Sequence, residues 1–365
     1  MYYIYFFYVK FNILMATNIN DMRKQKEFSG ITFSKYKKSE AKKQLLKMIN
    51  DNDIESACYW CSEFICAGHF LEIWEIIFKI MGNNIHIGNP KLPLYINKKM
   101  EEFKDIVVSG YLDSELNMRN NSRIRQIFCE IICILCLSRK KTTFDVQKIS
   151  PQLFDMTNLK GHLKAPSVNY GRGAFTSDDP NELFISVNEL AWHIKNKNSY
   201  KAFFWIEWII DFEDMCKKKK ISLVGKNRNY PVQEKNRKDV IWIVWNVILN
   251  ETQKIKNKNK LDIIKSLLNI FCLRYTHPVR KRRRYLIYFA ISLLTEPIDI
   301  EQNIINDTSI VRNALLNIDK IYAQIKKNEV APKTDYLFGN LKTDKDKNIK
   351  KIQGMDNLAN IIIRK

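Results

Sequence analysis

Glycine and proline are scarce in this chain, 11 and 9 among 365 residues. A sandwich or barrel of many short strands spends one or the other at most of its turns, so that class is set aside. Uncharged apolar runs of membrane length are missing too, since even Ala202–Phe212 contains Glu207 and Asp211. The opening M-Y-Y-I-Y-F-F-Y-V-K-F-N-I-L lacks a basic leader and a small-residue cleavage site, and Lys10 interrupts it. It fits no targeting class, and translation beginning at Met15 or Met22 is the reading preferred over a membrane-touching tail. Phosphate loops are lacking: Gly171-Arg172-Gly173 follows no clear strand and has no Lys-Ser/Thr ending. None of the five histidines (His69, His86, His162, His193, His277) has a Ser, Cys or Asp partner at a spacing that names a mechanism. Acidic residues around glycine-punctuated strands, as in nucleases, are not seen either. These gaps predict a non-enzymatic protein with no cofactor.

Acidic charge is short as well. Lys and Arg total 60 against 39 Asp and Glu, a formal charge of +21 with a pI near 9.5. Such an excess predicts an anionic partner: nucleic acid, an acidic protein or an anionic membrane surface. Part of it is compositional, because abundant Lys, Ile and Asn accompany AT-rich coding sequence.

Eight cysteines are present, within apolar helical patterns rather than loops with disulfide-like spacing, which points to a reducing compartment. Cys58-x-x-Cys61 and Cys129-x-x-x-Cys133-x-x-Cys136 each place thiols on one helical face, so two helices side by side would gather several thiolates. Zinc sites of this ligand type are usually built from turns, and no histidine stands at ligand spacing. Cysteine also behaves as a small hydrophobe, so the expectation is core thiols and no metal.

The apolar content peaks in Asp53–Met81. Asp53 stands at an N-cap position, Gly82-Asn83-Asn84 supplies an end signal, and the only glycine inside is Gly68. Glu55, Ser56, Ser62, Glu63, His69, Glu72, Glu75 and Lys79 recur at three- to four-residue steps and leave a narrow wet stripe. The pattern predicts one long buried helix over 53–81 at the hub of an all-α bundle of about ten helices. Further helices are expected over Ser39–Asn50, residues 94–109, Ser122–Leu137, Asp179–Ile194, Tyr200–Cys216, Lys235–Glu251, Leu261–Tyr275, Arg282–Thr295 and Ser309–Lys327. Pro90 and Pro93 mark an extended connection, and residues 151–180 collect turn formers. The domain reading is an accessory or poorly ordered segment 1–37, a sub-bundle 38–150, a connecting loop 151–180, a second sub-bundle 181–330 and a mobile basic tail 331–365.

Arg119, Arg123 and Arg125 crowd the start of the 122–137 helix, where the macrodipole is already positive. They mark either an anion site or arginines paired with acids such as Glu63, Glu72 or Glu75, the latter being the more ordinary architecture. Denser basic runs lie in the second half: Lys217-Lys218-Lys219-Lys220 continuing to Lys226 and Arg228, alternating Lys254, Lys256, Lys258 and Lys260, and Arg280-Lys281-Arg282-Arg283-Arg284. If they gather on one edge they bind phosphates without reading sequence; otherwise they are solvated loops, and the arginine run also fits a nuclear-import signal.

Five phrases together resemble a core protein family of the nucleocytoplasmic large DNA viruses, giant and algal viruses among them. They are D-I-E-S-A-C-Y-W-C-S-E-F-I-C-A-G-H (53–69), N-P-K-L-P-L-Y-I (89–96), N-M-R-N-N-S-R-I-R (117–125), D-P-N-E-L-F-I-S-V-N-E-L (179–190) and W-I-E-W-I-I-D-F-E (205–213). The likeness runs over roughly residues 40 to 295 and brings no reaction and no functional residue with it. It implies a viral protein acting in host cytoplasm at viral factories, with other viral proteins as further partners. Joined to the charge, it leads to a factor that binds nucleic acid through second-half basic loops in replication, transcription or genome packaging. The alternative is an assembly scaffold meeting acidic viral proteins or membrane.

Overall fold

The computed structural model of the chain describes residues 17–110 and 114–330. Among them are 14 α-helices and no strand; Ile31 and Lys37 form an isolated bridge. The fold is all-α, as the periodicity requires. The longer helices are α1 (Lys38–Asn50), α2 (Ile54–Cys66), α3 (Phe70–Lys79), α4 (Leu92–Val108), α5 (Glu115–Asn120), α6 (Ser122–Leu137), α7 (Phe184–Lys195), α8 (Ser199–Lys218), α9 (Ile241–Ile255), α10 (Lys258–Cys272), α11 (Arg284–Thr295) and α12 (Thr308–Lys326). The expectations for residues 1–16 and for the tail 331–365 lie outside the described residues.

The chain divides into two compact units, one of residues 17–81, 98–140 and 303–330, the other of residues 82–97 and 141–302. This is not the division at 151–180 that the turn formers predicted. In the first unit the 53–81 stretch is two helices, not one. Asp53 caps α2 by accepting from the Ser56 backbone N–H at 3.0 Å, worth about 1 kcal/mol. The break falls at Gly68, whose φ of +72° is left-handed; a Cβ there would stand 2.6 Å from a Glu115 carboxylate oxygen. Because the apolar period resumes in phase at Phe70, the interruption does not show in the pattern.

The middle of the stripe is not wet either, although Glu55 and Lys79 at its ends are exposed. Glu63 is fully buried and accepts hydrogen bonds from the backbone N–H and hydroxyl of Ser34. His69 is buried with Nε2 at 2.9 Å from the Ile31 carbonyl and 3.2 Å from that of Phe28. Residues 17–37, expected to be accessory, therefore cover the hub. Phe28 and Phe33 are fully buried in contact with each other, and burying two such side chains stabilises the docked segment by about 3–6 kcal/mol.

α12 also belongs to this unit rather than to the second-half sub-bundle. It packs on α2 and α6 through Val311, Ile318, Tyr322 and Ile325, and its end is tied to the N-terminal segment by Asn328 donating to Ser34 at 2.9 Å. Phe70, Trp74, Phe103 and Phe128 form the aromatic centre.

In the second unit α11 is central: every residue from Tyr285 to Thr295 is buried, and α7, α8, α9 and α10 pack against it. Residues 151–180 are part of this unit's wall. Buried Glu189 on α7 accepts the backbone N–H groups of Lys164 and Ala165 at 2.9–3.0 Å, and Asn188 accepts that of Gly171 at 3.0 Å and donates to the Ser167 carbonyl at 2.9 Å. The loop satisfies buried polar groups of the helix, which holds it in place without its own periodicity.

Candidate nucleic-acid interface

The basic runs separate by what their side chains touch. α8 carries an acidic row, Glu207, Asp211, Glu213 and Asp214, and the 280–284 run is spent on it. Arg280, 1% exposed, pairs with Glu213 and Asp214; Lys281 pairs with Asp211 at 2.9 Å and Asp214 at 2.5 Å; Arg284 reaches Glu207 at 2.9 Å. Arg283 is buried and donates to the carbonyls of Ile270 and Leu273 at 3.0 and 2.7 Å, closing the C-terminal end of α10. Arg282 is exposed, and the side chains of Lys281 and Arg284 are half-exposed. Arg228 is likewise buried, bound to Asp179 at 2.6 and 2.8 Å and to the Ala174 carbonyl at 3.2 Å. The expectation that Arg228, Arg280 and Arg283 present phosphate-binding charge is therefore corrected: these buried cations neutralise carboxylates and cap carbonyls within the unit, while Lys281 and Arg284 are engaged by the acids of α8.

Asp179 anchors that arrangement. Burial pushes its carboxyl up, but Arg228 and the backbone N–H groups of Lys226 and Thr176 outweigh burial and hold it below the ordinary carboxylate range.

Of the arginines at α6, Arg119 and Arg125 are also internal, whereas Arg123 is exposed. Arg119 pairs with Glu115 and lies over the Phe28 ring, with 5.2 Å to its centroid. Arg125 donates to the Arg119 carbonyl at 2.8 Å and Asn120 at 2.9 Å, its guanidinium 4.0 Å from the Tyr322 centroid. Arg123 pairs with Glu102. Asn121 accepts the Ile124 backbone N–H at 2.9 Å, so the helix start is capped by the chain itself. Arg119 and Arg123 pair with Glu115 and Glu102 in place of the expected hub acids, and Arg125 is held by a carbonyl, an amide oxygen and an aromatic ring.

The lysine run is different. Lys217 and Lys218 end α8, where cations favour the negative end of the macrodipole, and Lys219 and Lys220 follow in a turn closed by Ile221 N–H on the Cys216 carbonyl at 2.9 Å. Lys220 takes the left-handed position, φ +60°, that usually falls to glycine. All four are exposed, as is Lys226, and no ion pair engages their ammonium groups among the described residues. Beyond the turn lies a cleft of about 460 Å³ lined by Lys217, Lys220, Lys235 and Lys238, together with Ile221, Val224, Glu213, Asp239 and His277. Its two carboxylates are occupied. Glu213 faces Arg280 and His277, the latter at 3.0 Å, while Asp239 accepts from Tyr275 at 2.7 Å and is pushed up by burial. The cleft is thus positive by its lysines. Lys235 and Lys238 were missed in the sequence because they are not part of a run; only the fold brings residues 235–238 beside 217–220. Ile221 and Val224, 51% and 48% exposed, give the same rim an apolar component.

The cysteines of the two facing helices do meet. The sulfurs of Cys58, Cys129 and Cys133 lie within 4.8 Å of one another, whereas Cys61 and Cys136 stay outside that triangle. No helix among the described residues is long and apolar enough to cross a membrane. No protein-family model, curated protein or solved structure matches the chain.

Proposed function

We propose that the chain is a non-enzymatic nucleic-acid-binding factor of a large DNA virus, holding phosphate backbones at the lysine-rimmed cleft after α8. The observation that carries this reading is the set of exposed, unpaired lysines around a concavity whose carboxylates are already engaged. Four ammonium groups on such a rim repel one another, and a polyanion relieves that repulsion while releasing its own counterions. Contact through lysine alone positions a backbone without reading bases, so binding is sequence-independent. The viral assignment, with action at cytoplasmic factories in replication, transcription or packaging, rests on the five phrases above.

A second reading has its own support: the exposed Ile221 and Val224 suit an acidic, partly apolar segment of another viral protein, as an assembly scaffold would use. Fluorescence anisotropy on generic duplex and single-stranded DNA across a salt series decides between them. Changing Lys217, Lys220, Lys235 and Lys238 to Ser is expected to weaken binding to all sequences alike and to reduce the salt slope by about four, one per lost phosphate contact. An unchanged affinity and slope in that variant refutes the cleft as a phosphate site and moves the scaffold reading ahead.

A further inference from the structure

We propose that Cys58, Cys129 and Cys133 form a three-coordinate site for a soft monovalent metal ion, cuprous copper. The site follows from how two helices pack. Cys129 and Cys133 are four apart on α6 and share a face, and α2 lies against that face with Cys58 opposite. The three sulfurs are mutually within 4.8 Å, and those of Cys58 and Cys129 are 3.8 Å apart. A planar trigonal centre with metal–sulfur bonds of about 2.3 Å has sulfur–sulfur edges of about 4 Å, so side-chain adjustments of under about 1 Å complete it.

Ligand number and softness select the metal. No further His, Cys, Asp or Glu ligand atom joins the triangle among the described residues. Structural zinc takes four ligands, whereas an all-sulfur set of three suits cuprous copper. The three cysteines are 2%, 2% and 0% exposed, so a centre of low net charge is required. Each ion entering displaces at least one thiol proton to solvent, and the first such loss leaves the centre neutral; copper enters and remains cuprous, so no electron is exchanged. This departs from the sequence expectation of simple core thiols, because sequence spacing places thiols on faces but does not say which faces meet.

The test is an anaerobic titration of the full chain with chelator-buffered cuprous ion, reading copper retained after desalting and the melting temperature. The parent is expected to hold a single cuprous ion per chain and to melt higher with it. Cys136→Ala, on the same helix and equally buried but outside the triangle, keeps both properties. Cys58→Ala and Cys133→Ala lose both while remaining helical by circular dichroism. No copper retained by the parent, equal retention in the triangle variants, or equal loss in Cys136→Ala overturns the site. Stoichiometric zinc that cuprous ion does not displace overturns the choice of metal. If the triangle variants do not fold, X-ray absorption of the loaded parent decides: three sulfur ligands support the site, and a nitrogen or oxygen ligand refutes it.

Discussion

Replacing Arg280 by Met separates structural charge from binding charge most sharply. Its guanidinium is 1% exposed and faces Glu213, whose side chain is 9% exposed, and Asp214, at 32%. Removing it leaves Glu213 in a poorly solvated position with only His277, at 3.0 Å, for compensation. Breaking one side of a buried pair costs about 3–5 kcal/mol, and the remaining histidine puts the expectation near the lower figure, about 3 kcal/mol. Asp214 adds little, because it is partly solvated and keeps Lys281 at 2.5 Å. With a urea slope of about 2–3 kcal/mol/M, the unfolding midpoint falls by about 1 M. Tryptophan fluorescence is the assay, since Trp192, Trp205, Trp208, Trp242 and Trp245 all lie in the second unit with Arg280. Lys218→Ser with Lys226→Ser serves as control and is expected to stay within about 0.5 kcal/mol of the parent, as exposed substitutions do. Glu213→Gln added to Arg280→Met recovers part of the loss, because the orphaned charge goes with it. A midpoint for Arg280→Met as close to the parent as the control's refutes the reasoning and returns the 280–284 run to the surface.

Two further expectations concern the backbone and the acid limit. Gly68→Ala costs about 1–2 kcal/mol for the left-handed residue, with an added cost for displacing Glu115 from Arg119; thermal melting unchanged in this variant would mean the α2–α3 break is not held as described. Asp179, held below its unfolded value, contributes stability that is fully present above an unfolded pKa of about 3.9 and is lost as pH falls through its lower folded pKa. Asp179→Asn is therefore expected to be less stable than the parent at neutral pH and to close that gap in acid; a stability difference independent of pH would refute the Arg228 pairing.

The fold class and most helices were legible in the amino-acid sequence because apolar periodicity is a local property. Asp53 as a cap, the apolar face of Ser122–Leu137 and the aromatic run of Tyr200–Cys216 all stand where expected. Three things depended on tertiary structure, for one reason: they are set by partners far away in sequence. Gly68 breaks a continuous pattern because Glu115 and Arg119 approach it. Residues 17–37 and α12 join the first unit because Glu63 and His69 need buried partners and Tyr322 packs on Arg125. A run of five cations looks the same in sequence whether solvated or neutralised. Only folding shows that the row from Glu207 to Asp214 on α8 takes up Arg280, Lys281 and Arg284, while Lys217–Lys220 turn outward beside Lys235 and Lys238. Net charge is additive along a chain, but which charges remain available to a partner is decided by contacts that no local spacing encodes.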